Sequence, residues 1–221
     1  MAKKIAIIGL GVFGRSLCHH LMELGTEVIA IDTDRDRIED IKDQVTIAVQ
    51  LDATNERALI AQDIQDVDAA VVCIGEDFES NILATVLMKR LGVKQVIARA
   101  SREIEEVILR EVGANEQIFP ERDMAKEMAM RLSSSSLLDY MELSESLHAA
   151  KLRAPKAFWG KSLIDLSLRS QYGINIIAIY TGEKEAETED PFPKPDTIIR
   201  ADHLLLVVGK TEDIDRLALM D

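Results

Sequence analysis

Gly9-Leu10-Gly11-Val12-Phe13-Gly14 sets three glycines at the GxGxxG spacing. Each has its own task in holding a phosphate. Gly9 permits a tight turn, Gly11 lets backbone approach a phosphate with no Cβ in the way, and Gly14 lets a helix pack close to a strand. Free N–H groups and the dipole at the start of that helix then favour an anion. Asp32 stands 18 residues after Gly14, with Thr33 and Asp34 following it. A carboxylate at that position accepts hydrogen bonds from ribose hydroxyls and repels a 2′-phosphate, which argues against NADP. The chemistry implied is binding of the adenosine and phosphate part of a nucleotide.

Further residues fall at the ends of apolar runs that converge on the same edge. Asp52-Ala53-Thr54 ends one run and Ile74-Gly75-Glu76 another, while Arg99 lies in a third and Glu121 follows a fourth. Asp52 and Thr54 are suited to the base or ribose, and Arg99 to a phosphate. Acids and small residues are also common at strand ends, and Glu121 reads equally as an acid favoured by a helix dipole. Catalysis finds little support. The four histidines, His19, His20, His148 and His203, have no carboxylate or lysine at a suggestive spacing, and read as surface or packing residues. Serine-nucleophile elbow, metal cluster and Walker lysine are all absent from the sequence.

The elements that must position these groups alternate. Strands are expected over residues 4–8, 27–31, 46–51, 69–74, 95–100 and 117–119, with helices over 12–24, 35–42, 55–61, 77–91 and 102–112. Gly25, Gly92 and Gly113 close three of those helices. In the first helix Phe13, Leu17, Leu21 and Leu24 share a face. Short loops between alternating strands and helices require a parallel sheet with helices on both faces, a Rossmann-like doubly wound fold. The continuous apolar runs of the strands fit burial on both sides. A helix over 122–132, a serine-rich break at 133–136 and a second apolar stretch from Leu137 to Met141 read as a crossover helix pair. Beyond it, strands at 147–153, 175–180, 197–199 and 203–208, helices at 163–169 and 214–219, and an acidic, proline-containing loop at 183–195 make a small α+β unit. The expected division is 1–121, 122–141 and 142–221.

The chain has 221 residues and a formal net charge of −13. That charge repels nucleic acid and anionic lipid over long range, so any phosphate must be held by a local site. Apolar residues make up 47% and aromatic ones only 4%, so the core must be aliphatic. Cys18 and Cys73 both sit in apolar stretches, which suits buried, reduced thiols in the cytoplasm. A strand starting this near Met1 leaves no room for a signal peptide, and no apolar run nears the roughly 20 residues that span a bilayer. A soluble cytoplasmic protein is expected, able to dock on a membrane protein.

These residues together carry a resemblance. The segments Ala6-Ile7-Ile8-Gly9-Leu10-Gly11, Phe13-Gly14, Ile31-Asp32, Asp52-Ala53-Thr54, Cys73-Ile74-Gly75, Ile97-Ala98-Arg99-Ala100 and Pro120-Glu121-Arg122-Asp123-Met124 come first in the chain. Gly160-Lys161-Ser162-Leu163, Leu166, Arg169, Tyr172-Gly173 and the run from Asp202 to Gly209 complete the set. Over nearly its whole length the chain resembles the cytosolic gating subunits of Ktr/Trk-type bacterial potassium transporters, the RCK (regulator of potassium conductance) family. The resemblance implies an RCK N-terminal Rossmann domain, crossover helices and an RCK C-terminal domain. It implies homodimers assembled into an octameric ring under an integral-membrane potassium-translocating subunit. It also implies a ring that binds ATP and ADP, and in some cases NAD or NADH, with each ligand favouring a different ring shape.

Carried over residue by residue, the resemblance puts phosphates on the glycine loop and the ribose on Asp32. Asp52, Ala53, Thr54, Ile74 and Gly75 then border the adenosine, and Arg99 contacts phosphate. Glu121 lies near the γ-phosphate and helps hold Mg2+ or Ca2+ between subunits. One position departs from the pattern. The Ktr-type loop usually carries Arg between the second glycine and Phe, whereas this chain has Val12, with Arg15 three residues on. That weakens the case for telling ATP from ADP and gives weight to NAD or AMP, as does Asp34 in place of a familiar Asn. In the second domain Ile164, Arg169, Asn175 and Ile176 occupy positions suited to cyclic di-AMP at a dimer interface, or to plain dimer packing. The alternative function is a small NAD-dependent oxidoreductase or an NAD(H)-sensing redox regulator, which rests on the glycine fingerprint alone.

Overall fold

A computed structural model describes residues 2–133, 137–144, 146–181 and 188–220. The chain divides into two compact units, Met1–Asp123 and Met124–Asp221.

In the first unit the expected alternation is present. The strands are β1 (Lys4–Ile8), β2 (Glu27–Asp32), β3 (Ile47–Gln50), β4 (Ala69–Val72), β5 (Gln95–Arg99) and β6 (Glu116–Ile118). Between them run α1 (Val12–Glu23), α2 (Arg35–Ile41), α3 (Glu56–Ile60), α4 (Phe78–Arg90) and α5 (Glu103–Glu111). The sheet has the order β3-β2-β1-β4-β5-β6, and every pairing is parallel. Successive side chains of a strand point to opposite faces, and both faces are packed. Ala6, Ile8, Ile29, Ile31, Ala70 and Val72 enter one aliphatic core. Ile7, Val28, Ala30, Val71 and Cys73 enter the other. Phe13, Leu17 and Leu21 of α1 pack on that second core. Leu24 does not join them. It caps the helix and is 80% exposed, because the chain leaves the helix there and turns at Gly25 with φ +75°. The strand order reverses between β1 and β4, so the loops after these two strands diverge. That is where doubly wound sheets open a ligand crevice.

Helix α6 (Pro120–Ser133) carries the chain out of the first unit. The expected second crossover helix is not a helix: Leu137–Ser144 forms strand β7, paired antiparallel with β8 (Leu147–Arg153). Short apolar runs do not separate helix from strand by periodicity, and here pairing with a neighbouring strand decides. Residues 134–136 of the serine-rich break lie outside the described residues.

The second unit is an antiparallel sheet, completed by β9 (Ile174–Thr181), β10 (Thr188–Pro191) and β11 (His203–Gly209) in the order β10-β9-β11-β8-β7. Helices α7 (Leu163–Leu166), α8 (Leu168–Tyr172) and α9 (Thr211–Ala218) complete it. Leu152, Phe158, Ile174, Ile179, Leu205, Val207 and Ile214 form its core. Three expectations need correction. The single helix over 163–169 is broken at Ser167, which takes the left-handed conformation (φ 45°) and ends the turn begun by a Ser162–Asp165 capping box. Part of the acidic loop is strand β10, whose backbone pairs with β9, while residues 182–187 lie outside the described set. Residues 197–199 make only an isolated bridge from Ile198 to Ser162.

Candidate nucleotide-binding site

The glycine loop occupies the crevice between β1 and β4. Gly9 has φ +95°, a conformation that side-chain-bearing residues avoid. A Cβ on Gly9 would lie 3.0 Å from the Ile74 nitrogen after β4, so the two loops touch. A Cβ on Gly14 would overlap the Gly9 carbonyl oxygen, so this glycine fixes how closely α1 approaches the strand. Gly11 differs. A Cβ there meets nothing within 4 Å. Packing therefore does not demand glycine at this position, which leaves open space against the backbone where a phosphate would lie. Gly11 is the N-cap of α1, with no side chain capping the helix and no acid in its first turn. Neighbouring α2, α3 and α4 are capped by Asp34, Asn55 and Asp77. The start of α1 thus keeps its positive end for an anion. Val12 is 82% exposed beside it.

Asp32 ends β2 and is buried. Its Oδ2 accepts the Leu10 N–H at 2.6 Å, and its Oδ1 accepts the Asp34 N–H at 2.9 Å. The carboxylate thus braces the glycine loop and retains lone pairs for a ribose diol. Its charge is balanced on one side by Arg37, whose Nη1 lies 3.5 Å from Oδ2. Thr33 joins the frame through its carbonyl, which accepts from Gln50 Nε2 at 3.1 Å. After β3, Asp52 Oδ1 accepts from the Thr54 N–H at 2.9 Å and the Thr54 hydroxyl at 2.7 Å. These bonds close a turn over buried Ala53, so Asp52 and Thr54 serve each other as well as any ligand.

On the far side, Ile74, Gly75 and Glu76 follow β4, with Ile74 half-buried and the other two exposed. The Arg99 guanidinium lies against Gly75, and any Cβ at Gly75 would overlap Nη1. Arg99 Nη2 donates to Glu121 Oε1 in the first turn of α6. Arg99 Nε is buried without a hydrogen-bond partner among the described residues. An orphaned, buried guanidinium nitrogen has unspent capacity for a phosphate oxygen. The glycine loop, Asp32, Gly75 and Arg99 all belong to the carboxyl edge of one sheet, and they fit a nucleotide's ribose and phosphates.

Three residues absent from the sequence reading shape this site. Arg37 is one. Buried Asn81 of α4 donates through Nδ2 to the Ile74 carbonyl at 2.6 Å and the Arg99 carbonyl at 3.0 Å, tying the ends of β4 and β5 together. Buried Glu105 of α5 accepts the Ser101 N–H at 2.7 Å and Arg102 Nε at 2.8 Å. Burial opposes the charge of Glu105, but those two donors outweigh it and hold its pKa below the ordinary carboxylate range. A polar residue beside the apolar run Ile82-Leu83-Ala84 of its helix is the sequence signal that marks Asn81. Nothing in sequence spacing singles out Arg37 among its charged neighbours.

Both cysteines are buried in the core behind the glycine loop. Burial raises each thiol to about 12, so both stay protonated and unreactive near neutrality. Among the described residues no group of three or more His, Cys, Asp or Glu is placed to hold a metal ion. Glu121, the expected cation ligand, is engaged by Arg99. In the second unit Ile164 is 66% exposed on α7 and Arg169 is exposed on α8, while Asn175 is exposed and Ile176 half-buried on β9. A cavity of about 400 Å3 in this unit is lined instead by Ile179, Asp190, Asp196, Thr197, Ile198, Arg200 and His203. Among the described residues no helix is long and apolar enough to cross a membrane.

Comparison with known proteins agrees with this architecture. Residues 5–120 match the TrkA-N domain, and residues 147–220 match the TrkA-C domain. The Ktr system potassium uptake protein C of Bacillus subtilis (strain 168) is 38% identical over 216 residues, covering 98% of this chain and 96% of that protein. The Ktr system potassium uptake protein A of the same organism is 34% identical over 214 residues, covering 97% and 95%. Among solved structures, the GsuK channel bound to NAD superimposes with a TM-score of 0.67 at 16% identity, covering 100% of this chain and 39% of that one. The last likeness shows the fold, and the full-length identities show the kinship: this chain belongs to the family built from a TrkA-N domain followed by a TrkA-C domain, together with the Ktr system potassium uptake proteins.

Proposed function

We propose that this chain is the cytosolic, nucleotide-sensing subunit of a potassium uptake system. In this reading it gates an integral-membrane potassium-translocating partner and catalyses no reaction itself. Residues 1–121 form the sensing domain, residues 122–141 the crossover, and residues 142–221 the second domain. Copies pair as homodimers and assemble into an octameric ring on the cytoplasmic face of the membrane. The observation that carries the reading is the open, uncapped start of α1 at Gly11, set beside buried Asp32, in a chain aligned end to end with two Ktr proteins.

ATP and ADP are the ligands of first choice, with NAD, NADH or AMP admitted by Val12. The phosphates lie along the glycine loop and reach Arg99. The ribose lies on Asp32, and the adenosine is bordered by Asp52, Ala53, Thr54, Ile74, Gly75 and Glu76. A phosphate entering the site competes with Glu121 for Arg99, and this changes the charge balance at the first turn of α6. A Mg2+ or Ca2+ ion drawn in by the phosphates would use Glu121 as an oxygen ligand. Ligands act on such a ring only by differing in affinity for its shapes. The exposed residues Ile164, Arg169 and Asn175, with half-buried Ile176, are kept as a second-ligand surface for cyclic di-AMP.

The test is potassium uptake in cells lacking their own uptake regulators. Co-expressed with a Ktr-type membrane subunit, the native chain should restore growth at low potassium, and Gly11→Ala should not. Equal rescue by both would contradict the reading, as would NADH turnover with a panel of carbonyl substrates.

A further inference from the structure

The ribose corner of the site holds two acids and one cation. Asp34 caps α2 through Oδ1, which accepts the Asp36 N–H at 2.9 Å. Its other oxygen, Oδ2, lies 3.4 Å from Arg37 Nε. The Nη1 of the same guanidinium lies 3.5 Å from Asp32 Oδ2. One partly exposed guanidinium therefore spans both acids, in reach of any group hydrogen-bonded to Asp32. A guanidinium beside the ribose acid is the usual receptor for a 2′-phosphate in dinucleotide sites. In this chain its charge is already committed twice, and the three groups together carry one net negative charge.

Resting on the nucleotide reading above, we propose that Asp34 and Arg37 set the specificity of the site at the ribose 2′ position. Asp34 holds the Arg37 charge in a pair, so the corner accepts a free 2′-hydroxyl and refuses a 2′-phosphate. Asp32 supplies the hydrogen bonds to the diol and part of the repulsion, and Asp34 supplies the rest of the refusal by occupying Arg37. The selected ligand class is adenosine nucleotides with an unmodified ribose. The mechanism is a latent cation kept neutral, and it adds to repulsion by Asp32: removing the Asp34 charge frees Arg37 Nε toward a 2′-phosphate and lowers the refusal.

The variants can be chosen to spare the fold. Asn caps a helix as well as Asp does, so Asp34→Asn keeps α2 while removing the charge. Arg37→Met keeps an unbranched side chain of similar reach. Titration calorimetry would compare 5′-AMP with adenosine 2′,5′-bisphosphate on the native protein, on D34N, and on the D34N/R37M double variant. The native protein should prefer 5′-AMP by about tenfold or more, the scale of one charge-assisted hydrogen bond. D34N should narrow that preference by about tenfold, and R37M in the same chain should restore it. A purely structural role would weaken both ligands together and leave their ratio unchanged. An unchanged ratio in D34N, or a narrowed ratio that persists in the double variant, would overturn the inference. Failure of the native protein to bind 5′-AMP and ATP alike would overturn the nucleotide reading itself.

Discussion

Three glycines share one short loop yet face different demands, and substitution separates them. A Cβ on Gly14 overlaps the Gly9 carbonyl, so Gly14→Ala must push α1 away from its strand. A stability loss of about 1–3 kcal/mol is expected, read as a lowered Tm. A Cβ on Gly11 meets nothing within 4 Å, so Gly11→Ala should lose no more than about 1 kcal/mol, the cost of alanine at an N-cap, and should lose nucleotide affinity through a clash with phosphate. Asp32 has both duties. It braces the Leu10 and Asp34 N–H groups, so Asp32→Ala should weaken nucleotide binding and also cost about 1–3 kcal/mol for the buried Leu10 N–H left unpaired. The Leu10 contact could not be foreseen, since it links residues that only the β1–β2 pairing brings together. The placement of the glycines and Asp32 on one sheet edge was legible from spacing along a βαβ unit, and that of Arg99 from its place at the end of an apolar run. Arg37 was not, because it is one of several charges on a short polar helix, and only its distances to Asp32 and Asp34 distinguish it.

Among the elements, α4 and α5 hold the strand ends from which the site is built. Asn81 bonds the carbonyls of Ile74 and Arg99, so Asn81→Leu leaves two carbonyls without a donor. The variant should lose about 1–3 kcal/mol and blur nucleotide affinity with it. Glu105 anchors the start of α5 with a pKa held below its ordinary value. A depressed carboxylate contributes stability above its unfolded pKa, and that contribution is lost as pH falls through the folded value. Native protein should therefore lose Tm on acidification below about pH 4.3, the ordinary glutamate value. Glu105→Gln should start lower at neutral pH and show a shallower acid limb. The first unit's central strands could be read from sequence because their apolar runs are buried on both faces, and three of its helices because glycines close them. The second unit was harder. Leu137–Ser144 forms a strand by pairing with β8, and Thr188–Pro191 by pairing with β9. Each pairs with its neighbour in the chain, yet neither Leu-Leu-Asp-Tyr-Met-Glu-Leu-Ser nor Thr-Glu-Asp-Pro carries the clean apolar–polar alternation that marks a strand.

At the scale of the whole molecule, the two units have separate cores, and α6 runs from one to the other in sequence. Arg99 and Glu121 are paired where α6 begins. A phosphate that takes Arg99 should release Glu121 and make the ligand's effect depend on a divalent cation. Mg2+ should therefore raise the ATP-induced Tm shift in the native protein and leave it unchanged in Glu121→Gln. Equal responses in the two proteins would remove Glu121 from the path. Beneath this lies binding itself: the carboxyl edge of the first sheet is proposed to hold an adenosine nucleotide through backbone exposed by glycine. Isothermal titration of nucleotide-stripped protein with ATP, ADP, NADH and AMP, each with and without Mg2+, tests it most directly when run beside Gly11→Ala. The native chain should bind at least one of these saturably, and a Gly11→Ala protein that remains folded should not. Equal binding by the two, or no binding by the native chain, would contradict it.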